Sequence, residues 1–136
     1  MSRLAVENLQ KLYGRKMAVV DVSFSMEPGE IVGLLGPNGA GKTTVFYAIV
    51  GFLRPTRGRV LLDDTDITTF PMHRRARRGI AYLPQEPSVF RQLSVEKNIW
   101  AIIETRRDIG LEAKHARLEQ LISDLGLTIQ ELLDLL

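Results

Sequence analysis

The chain has no cysteine, which excludes disulfides and thiolate metal sites and is compatible with a cytoplasmic address. It also lacks a long apolar run. The longest, Val45 to Leu53, falls far short of the roughly 20 residues that cross a bilayer. The first residues, Met1 to Glu7, hold no apolar core of a secretory signal. A membrane role would therefore be exercised through a partner. There is no large excess of charge of either sign: 18 Lys and Arg face 16 Asp and Glu, for a net charge of +2. That balance offers no electrostatic case for nucleic acid as the main partner. Internal repeats, low-complexity tracts and Gly/Ser linkers are missing as well. With 45% hydrophobic and 25% charged residues in 136, the composition is that of one ordinary globular unit with an apolar core.

Hydrophobic periodicity predicts the elements. Leu4, Val6 and Leu9 indicate a short strand, and Val19, Val20, Val22, Phe24 and Met26 a second with period-two alternation. Pro28-Gly29 turns the chain. The run that follows, Ile31-Val32-Gly33-Leu34-Leu35, reads as a strand covered on both faces. Two strands meeting at that turn imply an antiparallel edge. A helix is predicted from Lys42 to about Leu53, a strand at Val60-Leu61-Leu62, a short basic helix over 71–78 with Pro71 in its first turn, and a strand at Ile80 to Leu83 halted by Pro84.

The remainder reads as helical. Ser94 is a cap for a helix with Val95, Ile99, Ile102 and Ile103 on one face and Glu96 in its first turn. A second amphipathic helix aligns Leu111, Leu118, Leu121, Ile122 and Leu125. The class is α/β with a mixed sheet and a helical appendage.

Chemistry concentrates between Gly36 and Thr44. Gly36-Pro37-Asn38-Gly39-Ala40-Gly41-Lys42-Thr43 fits the phosphate-loop pattern G-x-x-x-x-G-K-[ST], set between a predicted strand and a predicted helix. Gly36 permits a sharp turn off the strand. Gly39 and Gly41 keep side chains away, so backbone N–H groups can converge on phosphate oxygens. The helix behind them adds its positive end. Lys42 brings a mobile charge to the outer phosphates, and the Thr43 hydroxyl is a hard ligand suited to Mg²⁺. The loop alone specifies phosphate, not the nucleotide or the reaction.

This loop, with Tyr82-Leu-Pro-Gln85 and Leu93-Ser-Val-Glu-Lys-Asn98, resembles the ATP-binding subunits of ABC transporters from about Leu4 to Leu125. Ile31 to Asn38, Arg75 to Ile80, Tyr82 to Glu86 and Phe90 to Ser94 are most similar to the lipopolysaccharide-export branch. Branched-chain amino-acid importers are close relatives of that branch. The resemblance implies a P-loop NTPase fold of ABC ATPase type with an antiparallel β edge. It divides residues 1–136 into a β and P-loop portion, about 1–92, and the start of a helical subdomain, about 93–136.

Its implied cofactors are ATP and Mg²⁺. Residues 36–44 would bind the nucleotide, Tyr13 would stack on adenine, and Lys42 and Gln85 would serve catalysis. Gln85 would also join Thr43 at the metal. On residue type alone, Tyr13 is better explained by packing, and Gln85 by a solvated loop; the resemblance reverses the preference for Tyr13. Thr44 would add a phosphate or metal contact; its plain alternative is helix capping. The apolar loop residues Pro87, Val89, Phe90 and Leu93 are by composition either a docking surface or a local staple. In the resembling family this region helps receive transmembrane permease subunits at the cytoplasmic face of the inner membrane, and Val89, Phe90 and Leu93 are the expected contacts. The intact family member is a homodimer that sandwiches ATP.

Two patterns are decoys. Val60 to Asp64 imitates an apolar strand ending in a metal-binding acid, which a small kinase or GTPase would need; Asp63, Asp64 and Asp66 read better as turn residues. Arg74, Arg75, Arg77 and Arg78 lack interleaved aromatics and read as a solvated helix face or a contact with anionic lipid. The family's signature loop, its Walker B aspartate with adjacent glutamate, and its switch histidine are not identifiable; His73 and His115 stand in other contexts. The expectation is a truncated chain that binds ATP without efficient turnover, leaving apolar edges uncovered.

Overall fold

The computed structural model describes residues 2–86 and 89–126. The chain forms two compact units, Met1–Leu83 and Pro84–Leu136. The division falls ahead of Gln85.

In the first unit β1 (Leu4–Tyr13), β2 (Lys16–Met26), β3 (Arg57–Leu62) and β4 (Thr65–Asp66) form a sheet in the order β2-β1-β3-β4. Every pairing is antiparallel, so the expected mixed sheet is absent among the described residues. β1 carries a bulge at Asn8, whose φ is 47°; register shifts flank it on both neighbouring strands. The extra residue resets the alternation, so Val6 and Leu9, three apart, both face the core. Opposite the bulge, a Cβ on Gly58 would stand 2.5 Å from the Asn8 carbonyl, so only glycine fits.

Helix α1 (Lys42–Val50) buries Val45, Ala48, Ile49 and Val50. The first three have the i, i+3, i+4 spacing of one helix face. They join Val6, Leu9, Val19, Val60, Leu62 and Ile67 in a single apolar cluster. The β3–β4 turn uses Asp63 and Asp64, both left-handed with φ of 48° and 62°, as a two-residue hairpin turn demands. Asp63 Oδ1 accepts the Arg3 N–H at 2.7 Å, and Asp66 Oδ1 accepts the Thr68 N–H at 2.9 Å. These acids do turn work, as expected.

Three expectations are corrected. Pro28-Gly29 does turn the chain, with Gly29 at φ 82° and Glu30 N–H donating to the Glu27 carbonyl at 3.1 Å. The antiparallel partner of β2, however, is β1, joined through Gly14. Residues 31–35 and 80–83 are not strands. Ile31, Leu35 and Leu83 are 97%, 94% and 93% exposed. A central strand needs hydrogen-bonding neighbours, and no described strand pairs with either run. Lastly, α2 (Met72–Arg77) is not a uniformly solvated basic face, because Arg75 is buried at 2% exposure.

The second unit holds α3 (Val95–Ile103) and α4 (Leu111–Asp124). Ser94 caps α3, its Oγ accepting the Lys97 N–H at 3.2 Å, with Glu96 in the first turn. Ile103 and Leu118 are buried, and Trp100 stacks on His115 with ring centres 4.6 Å apart. Ile102, Leu111 and Leu125, assigned to apolar faces by periodicity, are exposed. No helix among the described residues is long and apolar enough to cross a membrane.

Candidate phosphate-binding site

The loop Gly36–Gly41 leads directly into α1. Gly39 and Gly41 are left-handed, with φ of 84° and 91°, and the Ala40 N–H donates to the Pro37 carbonyl at 3.1 Å. Gly41 is also pressed onto β2: a Cβ there would lie 2.4 Å from the Ala18 carbonyl oxygen and 3.1 Å from Val19 Cγ2. At Gly36 a Cβ would meet Ala40 Cβ at 3.1 Å. Glycine is thus required at Gly41 for both backbone angle and closeness, while at Gly36 a side chain would be a tight fit.

The start of α1 is left free. No side chain caps it and no acidic residue stands in its first turn. The other long helices differ, since α3 has Ser94 and Glu96 and α4 has Glu112. The first N–H groups of a helix have no internal partner, and their positive end attracts anions. Here Gly36 to Ala40 and Thr43 are exposed around those donors, with Lys42 and Thr44 half-buried. The Lys42 ammonium donates to the Gly36 carbonyl, so its side chain folds back across the loop. Backbone donors, a helix end and one mobile cation converge on one surface, and phosphate oxygens fit that set.

The donor set also fits a divalent ion carried by phosphate. Among the described residues no cluster of three or more His, Asp or Glu could hold a metal by itself. An ion would rest on phosphate oxygens and the Thr43 hydroxyl, the arrangement Mg²⁺ favours.

The remaining sequence-derived residues are distributed unevenly. Tyr13 ends β1, half-exposed, with Lys11 Nζ 5.1 Å from its ring centre. It pairs with Lys16, two residues along β2 from Ala18, where Gly41 packs. At strand spacing that is roughly 7 Å. Tyr13 and the loop therefore share one end of the β1–β2 ribbon. Gln85, Val89, Phe90 and Leu93 belong to the second unit, and all four are exposed. Pro87 lies outside the described residues.

Sequence reasoning gave no individual role to Arg75 or Asn98. Arg75 donates to the carbonyls of Ala48, Ile49, Thr68 and Phe70. Burial pushes its guanidinium below the ordinary arginine value, and Asp66 opposes that shift. Nothing local in a row of arginines marks the one that turns inward; Gly51, left-handed beyond α1, was the available hint.

Comparison with known proteins identifies the family. The family model described as ABC transporter matches residues 19–134. The chain is 48% identical to the lipopolysaccharide export system ATP-binding protein LptB of Haemophilus influenzae, over 94% of this chain and 53% of that protein. It is 54% identical to LptB of Acidithiobacillus ferridurans, over 91% of this chain and 51% of the relative. Among solved structures it is similar to the ADP conformation of an ATP-binding cassette of an ABC transporter. That likeness has a TM-score of 0.69 and 31% identity, covering 86% of this chain and 46% of the other. The chain spans about half the length of the curated relatives it matches. A glycine cradle on a bare helix end, cassette-like topology and a family match across most of its length lead to one conclusion: the chain belongs to the ABC transporter family and carries the phosphate-loop portion of its ATP-binding cassette.

Proposed function

We propose that this chain is the nucleotide-holding part of an ABC transporter ATP-binding subunit serving lipopolysaccharide export. The bare N-terminus of α1 behind Gly39 and Gly41 carries the reading, because it offers unpaired donors and no internal anion. The branch follows from the identity to LptB proteins.

In this role the backbone of residues 36–44 and Lys42 hold the ATP phosphates, and Tyr13 stacks on adenine. Thr43 and Gln85 serve Mg²⁺, which neutralises charge on the transferring phosphate when bound. Val89, Phe90 and Leu93 meet the membrane subunits, and two cassettes pair around nucleotide at the cytoplasmic face of the inner membrane. The chain binds nucleotide but turns it over poorly, because it offers no identifiable signature loop, Walker B acid or switch histidine.

Two measurements test this. Mg-ATP binding should be saturable and depend on Lys42, with little steady-state hydrolysis; absence of binding sinks the site, and robust Lys42-dependent turnover sinks the assignment of missing parts. For the export role, these residues replace the matching segment of Haemophilus influenzae LptB in cells depleted of that protein. Restored lipopolysaccharide transport is expected. A folded, ATP-binding chimera that fails to restore it removes the export reading.

A further inference from the structure

Asn98 makes an unusual set of contacts for a residue in the first turns of a helix. Its Oδ1 accepts the Phe90 N–H at 2.7 Å. Its Nδ2 reaches the carbonyls of Phe90 at 3.1 Å, Leu93 at 3.1 Å and Ser94 at 3.0 Å. One side-chain amide thus engages both main-chain groups of Phe90, and its two N–H bonds are shared among three acceptors. The Leu93 N–H closes the same loop onto the Phe90 carbonyl at 3.0 Å.

Helix capping does not account for this. Ser94 already caps α3 by accepting from Lys97. The Asn98 amide is directed back to a loop whose side chains Val89 and Phe90 are 61% and 62% exposed. An exposed aromatic gains nothing for the core by having its backbone held at two points. What such holding does is lower the ordering cost of contact with another molecule.

We infer that Asn98 is a positioning residue, a side-chain clasp that presents Phe90 in a fixed pose to the membrane subunit. The inference rests on the reading that Val89, Phe90 and Leu93 form the docking surface. Its occupant is an apolar segment of that subunit, seated on Phe90.

The discriminating variant is Asn98→Asp. A carboxylate keeps an acceptor for the Phe90 N–H but loses every donor, turning an oxygen toward three carbonyls. Near the start of α3 an added negative charge favours the helix. A role limited to the charge at the start of α3 therefore predicts a neutral or stabilising effect, and the clasp predicts loosening at the loop. Capture by the membrane subunits separates a docking role from a purely structural one. Asn98→Ala removes both halves, and Phe90→Ala reports on docking itself.

Two readouts are taken on the full chain. Amide hydrogen exchange follows Phe90 and its neighbours, and capture is measured with the membrane subunits of the Haemophilus influenzae export system, co-produced and detergent-solubilised. Asn98→Ala should speed exchange at Phe90 by at least about tenfold. Asn98→Asp should spare that amide more than Ala does, while both variants lower capture as Phe90→Ala does. Nucleotide affinity should stay within about twofold, because the hydrogen bonds of Asn98 among the described residues reach only Phe90, Leu93 and Ser94, none of which is assigned to the nucleotide. Unchanged exchange in Asn98→Ala overturns the clasp. So does full capture by Asn98→Asp beside a loss in Phe90→Ala. No capture by the unsubstituted chain, or full capture by Phe90→Ala, overturns the docking reading and with it the purpose assigned to Asn98.

Discussion

Arg75 Nη1 donates to the main-chain carbonyl of Ala48 at 2.6 Å and to that of Ile49 at 2.8 Å, closing the C-terminal turn of the helix that begins at the phosphate loop. Nε and Nη2 of the same guanidinium reach Phe70 and Thr68 at 2.9 and 2.8 Å. The last carbonyls of a helix lack internal partners and carry its negative end, so a buried cation is well placed there. Space is tight. A Cβ on Gly51 would stand 3.0 Å from Arg75 Nε, and Gly51 has φ 100°.

Arg75→Ala should therefore destabilise the first unit by about 2–4 kcal/mol, through orphaned carbonyls and a cavity. Arg75→Lys keeps the charge but cannot fork to four acceptors, and should recover less than half of the loss. Urea unfolding of the three proteins checks this. Full stability in the lysine variant would show that charge alone suffices.

Two glycine substitutions separate strain from collision in the loop. Gly39→Ala meets no atom within 4 Å, so it suffers only from its φ of 84°, costing about 1 kcal/mol. Gly41→Ala adds a Cβ 2.4 Å from the Ala18 oxygen, which must push the loop off β2. It should cost about 2 kcal/mol or more. Thermal unfolding with nucleotide titration should rank Gly41→Ala below Gly39→Ala in both stability and affinity.

Lys42 is half-buried, and its bond to the Gly36 carbonyl is an exposed one. Lys42→Ala should leave stability within about 0.5 kcal/mol yet weaken Mg-ATP binding by about tenfold or more. Calorimetric titration checks the affinity. Equal affinity in the variant would place the phosphates elsewhere.

Acid should loosen the turns before the core. The Thr68 hydroxyl, and then its N–H, hold the Asp66 carboxyl below its ordinary value of 3.8. Ser2 and then the Arg3 N–H do the same for Asp63. Arg106 holds Asp108 at about 2. A carboxyl whose folded value is depressed stabilises the fold above its unfolded value, and that contribution is lost as pH falls through the folded one. The loss should thus begin near pH 3.8 and, for Asp108, run to about 2. Thr68→Val should return Asp66 toward 3.8 in an NMR titration of side-chain carboxyl carbons. An unmoved Asp66 would remove Thr68 as the cause.

Ile31, Leu35 and Leu83 of the first unit are exposed apolar side chains in runs that no described strand pairs with. The chain should bind the dye ANS and self-associate with rising concentration. The double variant Ile31→Ser, Leu35→Ser should reduce both signals without altering the β1–β2 ribbon. Sedimentation and fluorescence provide the measurement.

Local chemistry was legible in the residue order alone. Gly39, Gly41 and Lys42 need particular backbone angles and one charge, and those demands appear as residue types at fixed spacing. The same holds for Ser94 as a cap and for Asp63-Asp64 as a turn, since each acts within a few residues of itself. Tertiary structure decided what depends on distant neighbours. The apolar run 31–35 reads as a strand, but a strand exists only where another lends it hydrogen bonds. Four arginines within five positions, 74–78, look alike until one finds the carbonyls of α1. Asn98 looks like any polar helix residue until the chain brings the Phe90 amide to it. Short-range geometry is written in side-chain type; pairing and burial are set by which segments meet, and that is known only once the chain has folded.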